Sequence, residues 1–204
     1  MVKLVPFGIV FLILPESIPL LVIYAPGMVP STCLKENQIL KQRQKLDKVR
    51  QKMTHNVLKS AKQLQGVITA EDFMHKAKFQ RIAKNFAYDF DLSRIDRRHL
   101  SSYCKFMGIN DYGPQFILKK RLEKYMNYLD QDDKLLLQDN TVDTLTVQEL
   151  SHAVEERGMK SVDQQEENMR RALKYWLSAS QADPKVPAGL LIFSRMFLLN
   201  ANYV

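Results

Sequence analysis

An apolar run occupies the start of this chain, from Leu4 to Val29, interrupted by a few polar residues and four prolines. Its length of about 26 residues exceeds the roughly 20 that an α-helix needs to cross a bilayer. Proline interrupts a water-soluble helix but is better tolerated in a membrane, where neighbouring groups satisfy the freed carbonyls. The run is longer than the apolar part of a secretory signal and lacks a small-residue cleavage site. We therefore predict a transmembrane segment over residues 1–30 and a separate domain over residues 31–204.

A carboxylate, Glu16, lies near the middle of the apolar run, directly after Pro15. A charged carboxylate at membrane depth is costly, so we expect it to be protonated, paired or placed along a polar path. Pro15 and Glu16 are therefore the candidate functional residues of the segment. Two alternatives stay open. Either the helix breaks before Pro15, leaving Glu16 interfacial or in a re-entrant turn, or the run is a buried hairpin of a water-soluble protein.

Positive charge follows the apolar run directly. Residues 35–52 contain seven Lys and Arg against two acidic residues, and the whole chain has a net charge of +8. Basic loops stay on the cytoplasm-like side of a membrane, which in a mitochondrion is the matrix. A basic surface favours an anionic partner, such as phospholipid head groups, RNA or an acidic protein face. An ordinary solvated helix face has the same composition.

The remaining sequence has a helical pattern. Gly is scarce, at 7 residues, and β-branched residues do not cluster outside the apolar run, so the composition favours helices over strands. Between Lys35 and Gln65 there is neither Pro nor Gly, and apolar residues recur every three or four positions. This spacing predicts one long amphipathic helix whose apolar stripe packs against the domain. Its other faces carry candidate anion-binding residues: Lys45, Lys48, Arg50 and Lys52.

An internal repeat indicates how the later helices pair. Leu100, Ser101 and Gly108 recur as Leu, Ser and Gly fifty residues later. Each copy reads as a short helix ended by glycine, an extended turn and a longer helix, so we predict antiparallel helix hairpins that bury their stripes. Similar units occur in SAP-like nucleic-acid binders, and the longer helix of the first copy carries a basic cluster: Lys119, Lys120 and Arg121. The same geometry serves equally as a structural hairpin.

Local signals place further helix boundaries. Thr69, with Asp72 three residues later, and Asp96 are typical N-cap residues. Residues 185–199 are strongly apolar but too short to cross a bilayer comfortably, so we expect them to dock into the domain. The helix that follows Thr69 is expected to turn four side chains inward: Phe73, Ala77, Ile82 and Phe86.

No arrangement of residues indicates catalysis. The four histidines are scattered, and there is neither a Gly-rich phosphate loop nor a nucleophile elbow. Cys33 and Cys104 have no partner at metal-ligand spacing, and Cys104 falls on an apolar helix face. Residues 130–133 superficially resemble a calcium loop, but Thr141 stands where the closing Glu is needed. We therefore predict a non-enzymatic protein without cofactor or metal.

Several sequence blocks together resemble the leucine-zipper/EF-hand transmembrane (LETM) family. They are Leu4-Val-Pro-Phe-Gly-Ile-Val-Phe-Leu-Ile-Leu-Pro-Glu, Ala25-Pro-Gly-Met-Val-Pro-Ser31, Leu100-Ser-Ser-Tyr-Cys-Lys-Phe-Met-Gly-Ile-Asn110, Asp143-Thr-Leu-Thr-Val-Gln-Glu-Leu150, Glu156-Arg-Gly-Met159 and Val186-Pro-Ala-Gly-Leu-Leu-Ile-Phe-Ser-Arg195. The resemblance covers almost the whole chain. It implies an all-α, 14-3-3-like fold and a protein of the mitochondrial inner membrane with a matrix-facing helical domain. The EF-hand, the transit peptide and the C-terminal zipper of the family are absent from this sequence.

The resemblance implies binding to mitochondrial ribosomes, support of membrane-protein biogenesis, and a link to potassium/proton exchange and ion homeostasis. The leading hypothesis is an inner-membrane receptor whose basic residues engage ribosomal RNA and protein, with inner-membrane lipid as a second partner. One alternative is a component of a potassium/proton antiporter with Glu16 in the proton path, which requires homo-oligomers because one segment is too little for a pore. A second alternative is a structural membrane tether.

Overall fold

Eight α-helices make up the part of the chain that the computed structural model describes, residues 36–63, 69–138 and 141–201. Within these ranges there is no strand, which confirms the all-α prediction for them. A short 3-10 helix, Thr141–Asp143, lies between the fifth and sixth helices. The α-helices are α1 Glu36–Gln63, α2 Ala70–Met74, α3 Lys76–Asn85, α4 Arg97–Met107, α5 Gln115–Gln138, α6 Val147–Glu156, α7 Glu166–Ser180 and α8 Ala188–Leu198.

The chain divides into two units, residues 1–45 and residues 46–204. Of the first unit only the opening turns of α1 are described, and the second is called the helical unit below. The predicted membrane segment, with Pro15 and Glu16, lies outside the described residues, as does the predicted boundary at residue 30. Among the described residues, no helix combines the length and the apolar character that crossing a membrane requires. The likeness to 14-3-3 proteins stays a prediction.

The predicted N-caps are present. Asp96 begins α4 by accepting a hydrogen bond from the backbone N–H of His99 at 2.9 Å. At the start of α2, the Asp72 carboxylate accepts from the backbone N–H of Thr69 at 2.9 Å. Both arrangements satisfy a backbone donor that a helix start leaves without an intrahelical partner, and both were readable from sequence.

The two copies of the repeat end their first helices in the same way. Gly108 and Gly158 have φ angles of 78° and 75°, in the left-handed region that glycine enters without steric cost. In each copy the next residue, Ile109 or Met159, donates to the carbonyl five residues earlier, at 3.0 and 2.9 Å. This is the Schellman arrangement, which satisfies carbonyls at the end of a helix. The repeat seen in sequence is therefore a repeat in structure.

The apolar tail docks into the core, as predicted. Most of α8 is buried, and it packs against α2 and α4. Aromatic rings of Phe73, Phe193 and Phe197 contact one another, with Phe73 edge-on to Phe193 at a centroid distance of 6.2 Å. The backbone of α8 approaches the connector before α4 so closely that a Cβ at Gly189 would overlap the carbonyl oxygen of Phe90.

Two residues predicted to face inward do not. Phe73 is buried and Ile82 is half-buried, but Ala77 and Phe86 are exposed. The reason is a break at His75, whose extended backbone separates α2 from α3. The helical phase restarts after the break, so Phe79 and Ala83 occupy the inner face of α3 instead.

Candidate functional site

The basic residues that sequence placed on α1 do not share one environment. Lys48 and Lys52 are exposed and lie one helical turn apart, so their ammonium groups project from the same face. Lys45, the last residue of the first unit, is also exposed. Arg50 differs, because its side chain is only 2% exposed.

The assignment of Arg50 to an exposed basic surface is corrected by its hydrogen bonds. Its Nε donates to the carbonyl of Phe106 at 2.7 Å, its Nη2 to that of Glu155 at 2.8 Å and its Nη1 to that of Met159 at 3.1 Å. These carbonyls belong to the C-terminal ends of α4 and α6, where helices leave acceptors without partners and where a cation is favourable. Burial lowers the pKa of the guanidinium to about 10, which leaves it charged at neutral pH. Arg50 therefore joins the two copies of the repeat.

The three basic residues on α5 also have different environments, because the side chains of successive helix positions point in directions about 100° apart. Lys120 is exposed and forms no ion pair with any residue that the structure describes. The ammonium of Lys119 lies 3.6 Å from the Glu123 carboxylate, a partly solvated pair that holds it weakly. Arg121 instead turns to the preceding loop, donating to the carbonyls of Asn110 at 2.5 Å and Tyr112 at 3.0 Å. Lys119 and Lys120 are called the basic patch below.

Side chains hold the loop that precedes α5 at every backbone carbonyl from residue 110 to residue 113. Arg121 binds the first and third of these carbonyls, Ser101 the second at 3.0 Å, and Arg97 the fourth at 3.0 Å. In addition, the Asn110 side chain accepts from the backbone N–H of Tyr112 at 2.9 Å. A surface loop with this many side-chain contacts has a defined conformation rather than a set of alternatives.

This loop presents two aromatic rings to solvent. Tyr112 is 83% exposed, and Phe116, in the first turn of α5, is 69% exposed. Sequence reasoning read the turn and the basic cluster but overlooked the rings between them. The available signal was a pair of aromatic residues, one on each side of a Gly-Pro turn and followed by the basic run at residues 119–121. We call residues 110–116 the aromatic loop.

Charge distinguishes the two copies of the repeat. Residues 94–124 contain eight Lys and Arg against three Asp and Glu, whereas the equivalent residues 144–174 contain five against six. The basic patch and the aromatic loop both belong to the positive copy. An anionic partner is therefore attracted to the first copy rather than to the second.

Comparison with known proteins gives a match over residues 1–198 to the family model described as LETM1-like, RBD. The chain belongs to this family. The mitochondrial proton/calcium exchanger protein of Drosophila melanogaster is 28% identical over 224 aligned residues, covering 99% of this chain. The LETM1 domain-containing protein mdm28, mitochondrial, of Schizosaccharomyces pombe is 24% identical over 221 residues, covering 98% of this chain. The chain spans 22% and 46% of the lengths of these two relatives.

The LETM1-like helical unit also contains a buried ionic cluster that sequence reasoning missed. Asp133, which is 1% exposed, accepts hydrogen bonds from Arg157 Nε at 2.9 Å, Trp176 Nε1 at 2.8 Å and Ser180 Oγ at 2.6 Å. Arg157 is also fully buried and pairs in addition with Asp132 at 2.5 Å. The cluster joins α5, α7 and the end of α6, and it satisfies the Asp133 carboxylate within the protein.

The neighbouring carboxylate is likewise bound by protein cations. Asp130 accepts from Lys134 at 2.8 Å and from Lys185 at 2.9 Å. These hydrogen bonds hold the pKa of Asp130 well below its usual range. The acidic run that superficially resembles a calcium loop thus has a structural explanation in ion pairs within the helical unit.

Proposed function

We propose that this chain is anchored in the mitochondrial inner membrane and that its helical part faces the matrix and binds mitochondrial ribosomes. The observation that carries the proposal is the basic patch, Lys119 and Lys120, on the positively charged copy of the repeat. Membership of the LETM1-like RBD family and the mitochondrial names of both relatives support it. Anchorage would hold the ribosome close to the membrane, so that translation occurs beside the site of insertion, which would support membrane-protein biogenesis and ion homeostasis.

In this proposal the exposed lysines contact phosphates, whereas the guanidinium groups of Arg50 and Arg121 are engaged with backbone carbonyls. Lys45, Lys48 and Lys52 on α1 and the basic patch on α5 each replace a counterion at the ribosomal RNA backbone, so binding weakens as salt rises. Ribosomal protein and inner-membrane lipid are further partners for the same positive charge. Arg121 does not contact phosphate in this proposal, because its guanidinium donates to backbone carbonyls of the aromatic loop; its role is to hold that loop.

Reversing the charge of the basic patch tests the proposal. For the full chain carrying Lys119→Glu and Lys120→Glu, we expect at least about a tenfold loss of affinity for mitochondrial ribosomes at low salt, and a salt slope shallower by roughly 1.5. The measurement is co-sedimentation over a salt series, with naked RNA and cardiolipin liposomes in parallel. The matched control is Arg171→Glu with Lys174→Glu, which changes the net charge equally through two exposed residues of α7.

Each outcome of this series is informative. Binding that survives reversal of the basic patch would remove Lys119 and Lys120 from the interface. An equal loss in the α7 control would mean that total charge, rather than this surface, governs binding. Equal binding to ribosomes, RNA and liposomes would indicate a generic basic surface, and absence of ribosome binding would favour the structural tether.

The name of the fly relative, a mitochondrial proton/calcium exchanger protein, favours a second candidate function. We propose as this alternative that the chain is a component of a cation/proton antiporter, in which homo-oligomers place Glu16 in the proton path. Glu16→Gln removes the titratable proton while keeping the size of the side chain, so exchange by the reconstituted chain should be lost with assembly unchanged. Potassium/proton exchange measured in proteoliposomes decides this, and exchange at the unsubstituted rate would eliminate Glu16.

A further inference from the structure

We infer that the aromatic loop is a stacking site for unpaired RNA bases, with Tyr112 and Phe116 as the stacking rings. This inference deepens the proposed function, because it rests on ribosomal RNA being the partner and names the chemistry that the protein recognises. It concerns residues that none of the basic-surface predictions included.

The first argument is the exposure of the rings. Phenylalanine is among the residue types most often buried, and leaving large apolar rings in water gives up the free energy that burial would provide. Phe116 lies in the first turn of a helix whose inner face already contains Leu118 and Leu122, so the ring is not needed for the core. A partner that covers both rings recovers that burial.

The second argument is the rigidity of the loop. All four carbonyls from residue 110 to residue 113 accept side-chain hydrogen bonds, from Arg97, Ser101 and Arg121. The backbone from which the Tyr112 ring projects is therefore set before any partner arrives. A contact residue that is already ordered loses less conformational entropy on binding, which is the usual benefit of a preformed recognition loop.

The third argument comes from the second copy of the repeat. Its turn, residues 159–165, reaches the next helix without any aromatic residue. Where α5 begins with Gln115 and Phe116, α7 begins with Glu166 and Glu167. The second copy thus forms a glycine-ended helix, a turn and a following helix without such rings, so this arrangement does not account for Tyr112 and Phe116.

The surroundings of the rings favour RNA over a peptide. The carbonyls of the loop are occupied, so an extended peptide finds no row of backbone acceptors to pair with. Unpaired bases need only ring faces, and the neighbouring Arg97 and basic patch provide cations for the phosphates between them.

The test is the affinity of the full chain for a labelled single-stranded RNA of about 12 nucleotides, within the range that stacking sites accommodate. Fluorescence anisotropy is measured at several salt concentrations, with a duplex of the same length for comparison. For Tyr112→Ala with Phe116→Ala we expect affinity for the single strand to fall by at least about thirtyfold. The salt slope should stay unchanged because no phosphate contact is lost.

Two further variants make the result specific. Tyr128→Ala is the matched control, because Tyr128 is an aromatic residue of α5 that is half-exposed but lies outside the aromatic loop, with its hydroxyl 3.4 Å from the Glu156 carboxylate. It should bind RNA as the unsubstituted chain does. Tyr112→Phe with Phe116→Tyr keeps both rings and should retain affinity, which separates stacking from any effect on folding.

Full affinity of the alanine variant for the single strand would overturn the inference. So would an equal loss on the duplex, whose bases are not available for stacking, or a loss confined to cardiolipin liposomes, which would assign the rings to lipid. The oligonucleotide titration and the ribosome co-sedimentation test different claims. If the unsubstituted chain fails to sediment with ribosomes, the proposed ribosome binding is wrong, while the titration still shows whether the two rings bind RNA bases.

Discussion

Replacing Arg50 by methionine is expected to lower the free energy of unfolding of the helical unit by about 3–5 kcal/mol. The guanidinium satisfies three backbone carbonyls at the ends of α4 and α6, and methionine fills similar space without any donor. The carbonyls of Phe106 and Met159 then lose the guanidinium donor, while that of Glu155 keeps the backbone N–H of Gly158 at 3.0 Å. The two helix ends also lose the cation that favours their close approach. Urea denaturation of the full chain, followed by far-UV circular dichroism, measures the loss.

Two controls define the role of Arg50. Lys48→Met removes a positive charge two residues away from an exposed position, so it should change stability by less than about 0.5 kcal/mol. Arg50→Lys should fall between the unsubstituted chain and Arg50→Met, because one ammonium cannot reproduce the planar guanidinium geometry. If Arg50→Met instead retained full stability and lost ribosome binding, Arg50 would belong to the interface and its structural role would be wrong.

A comparable loss, about 3–5 kcal/mol, is expected for Asp133→Ala. The substitution leaves the Arg157 guanidinium buried with only the partly exposed Asp132 as a carboxylate partner, and it removes the acceptor of Trp176 Nε1. Desolvating a charge is costly when its compensation is removed, so the effect should greatly exceed that of deleting a surface carboxylate. Urea denaturation monitored by Trp176 fluorescence reports both the stability and the local environment.

A double-mutant cycle tests whether the loss arises from the ion pair. Asp133→Leu and Arg157→Met should each destabilise alone, while the two combined should be much less harmful than the sum of these single changes, because no unpaired charge is left at the pair. Glu167→Ala provides the surface control, since its pair with Arg171 is solvent-exposed and worth little. Strict additivity of the two core substitutions would contradict the proposed coupling.

The helices and their boundaries were largely predictable because the signals are local. Asp96 accepts from a backbone N–H three residues later, and the turn at Gly108 needs only a residue that tolerates a positive φ, so a short stretch of sequence contains all the information. The break at His75 was missed for the same reason. Residues 70–86 contain neither Pro nor Gly, and no local sequence pattern predicts the extended backbone of His75 between α2 and α3.

The candidate site was predicted in part. The cluster at residues 119–121 was visible as a run of positive charge, and Lys119 and Lys120 face solvent to different degrees as helix geometry allows. The aromatic loop was overlooked because exposure of Tyr112 depends on how Arg97, Ser101 and Arg121 hold the backbone. These side chains come from both α4 and α5, so their convergence is a property of the packed pair.

The sequence by itself determined the all-α class, the two-copy repeat with its glycine-ended helices, and the family to which the chain belongs. Each depends on residue type at fixed spacing along the chain. Only the tertiary structure decided which charges are available to a partner. Arg50 and Lys48 are indistinguishable in a list of basic residues. Arg50 donates to carbonyls of residues 56, 105 and 109 positions away in the sequence, whereas Lys48 projects into solvent. Burial is set by contacts between distant segments, and no local pattern contains them.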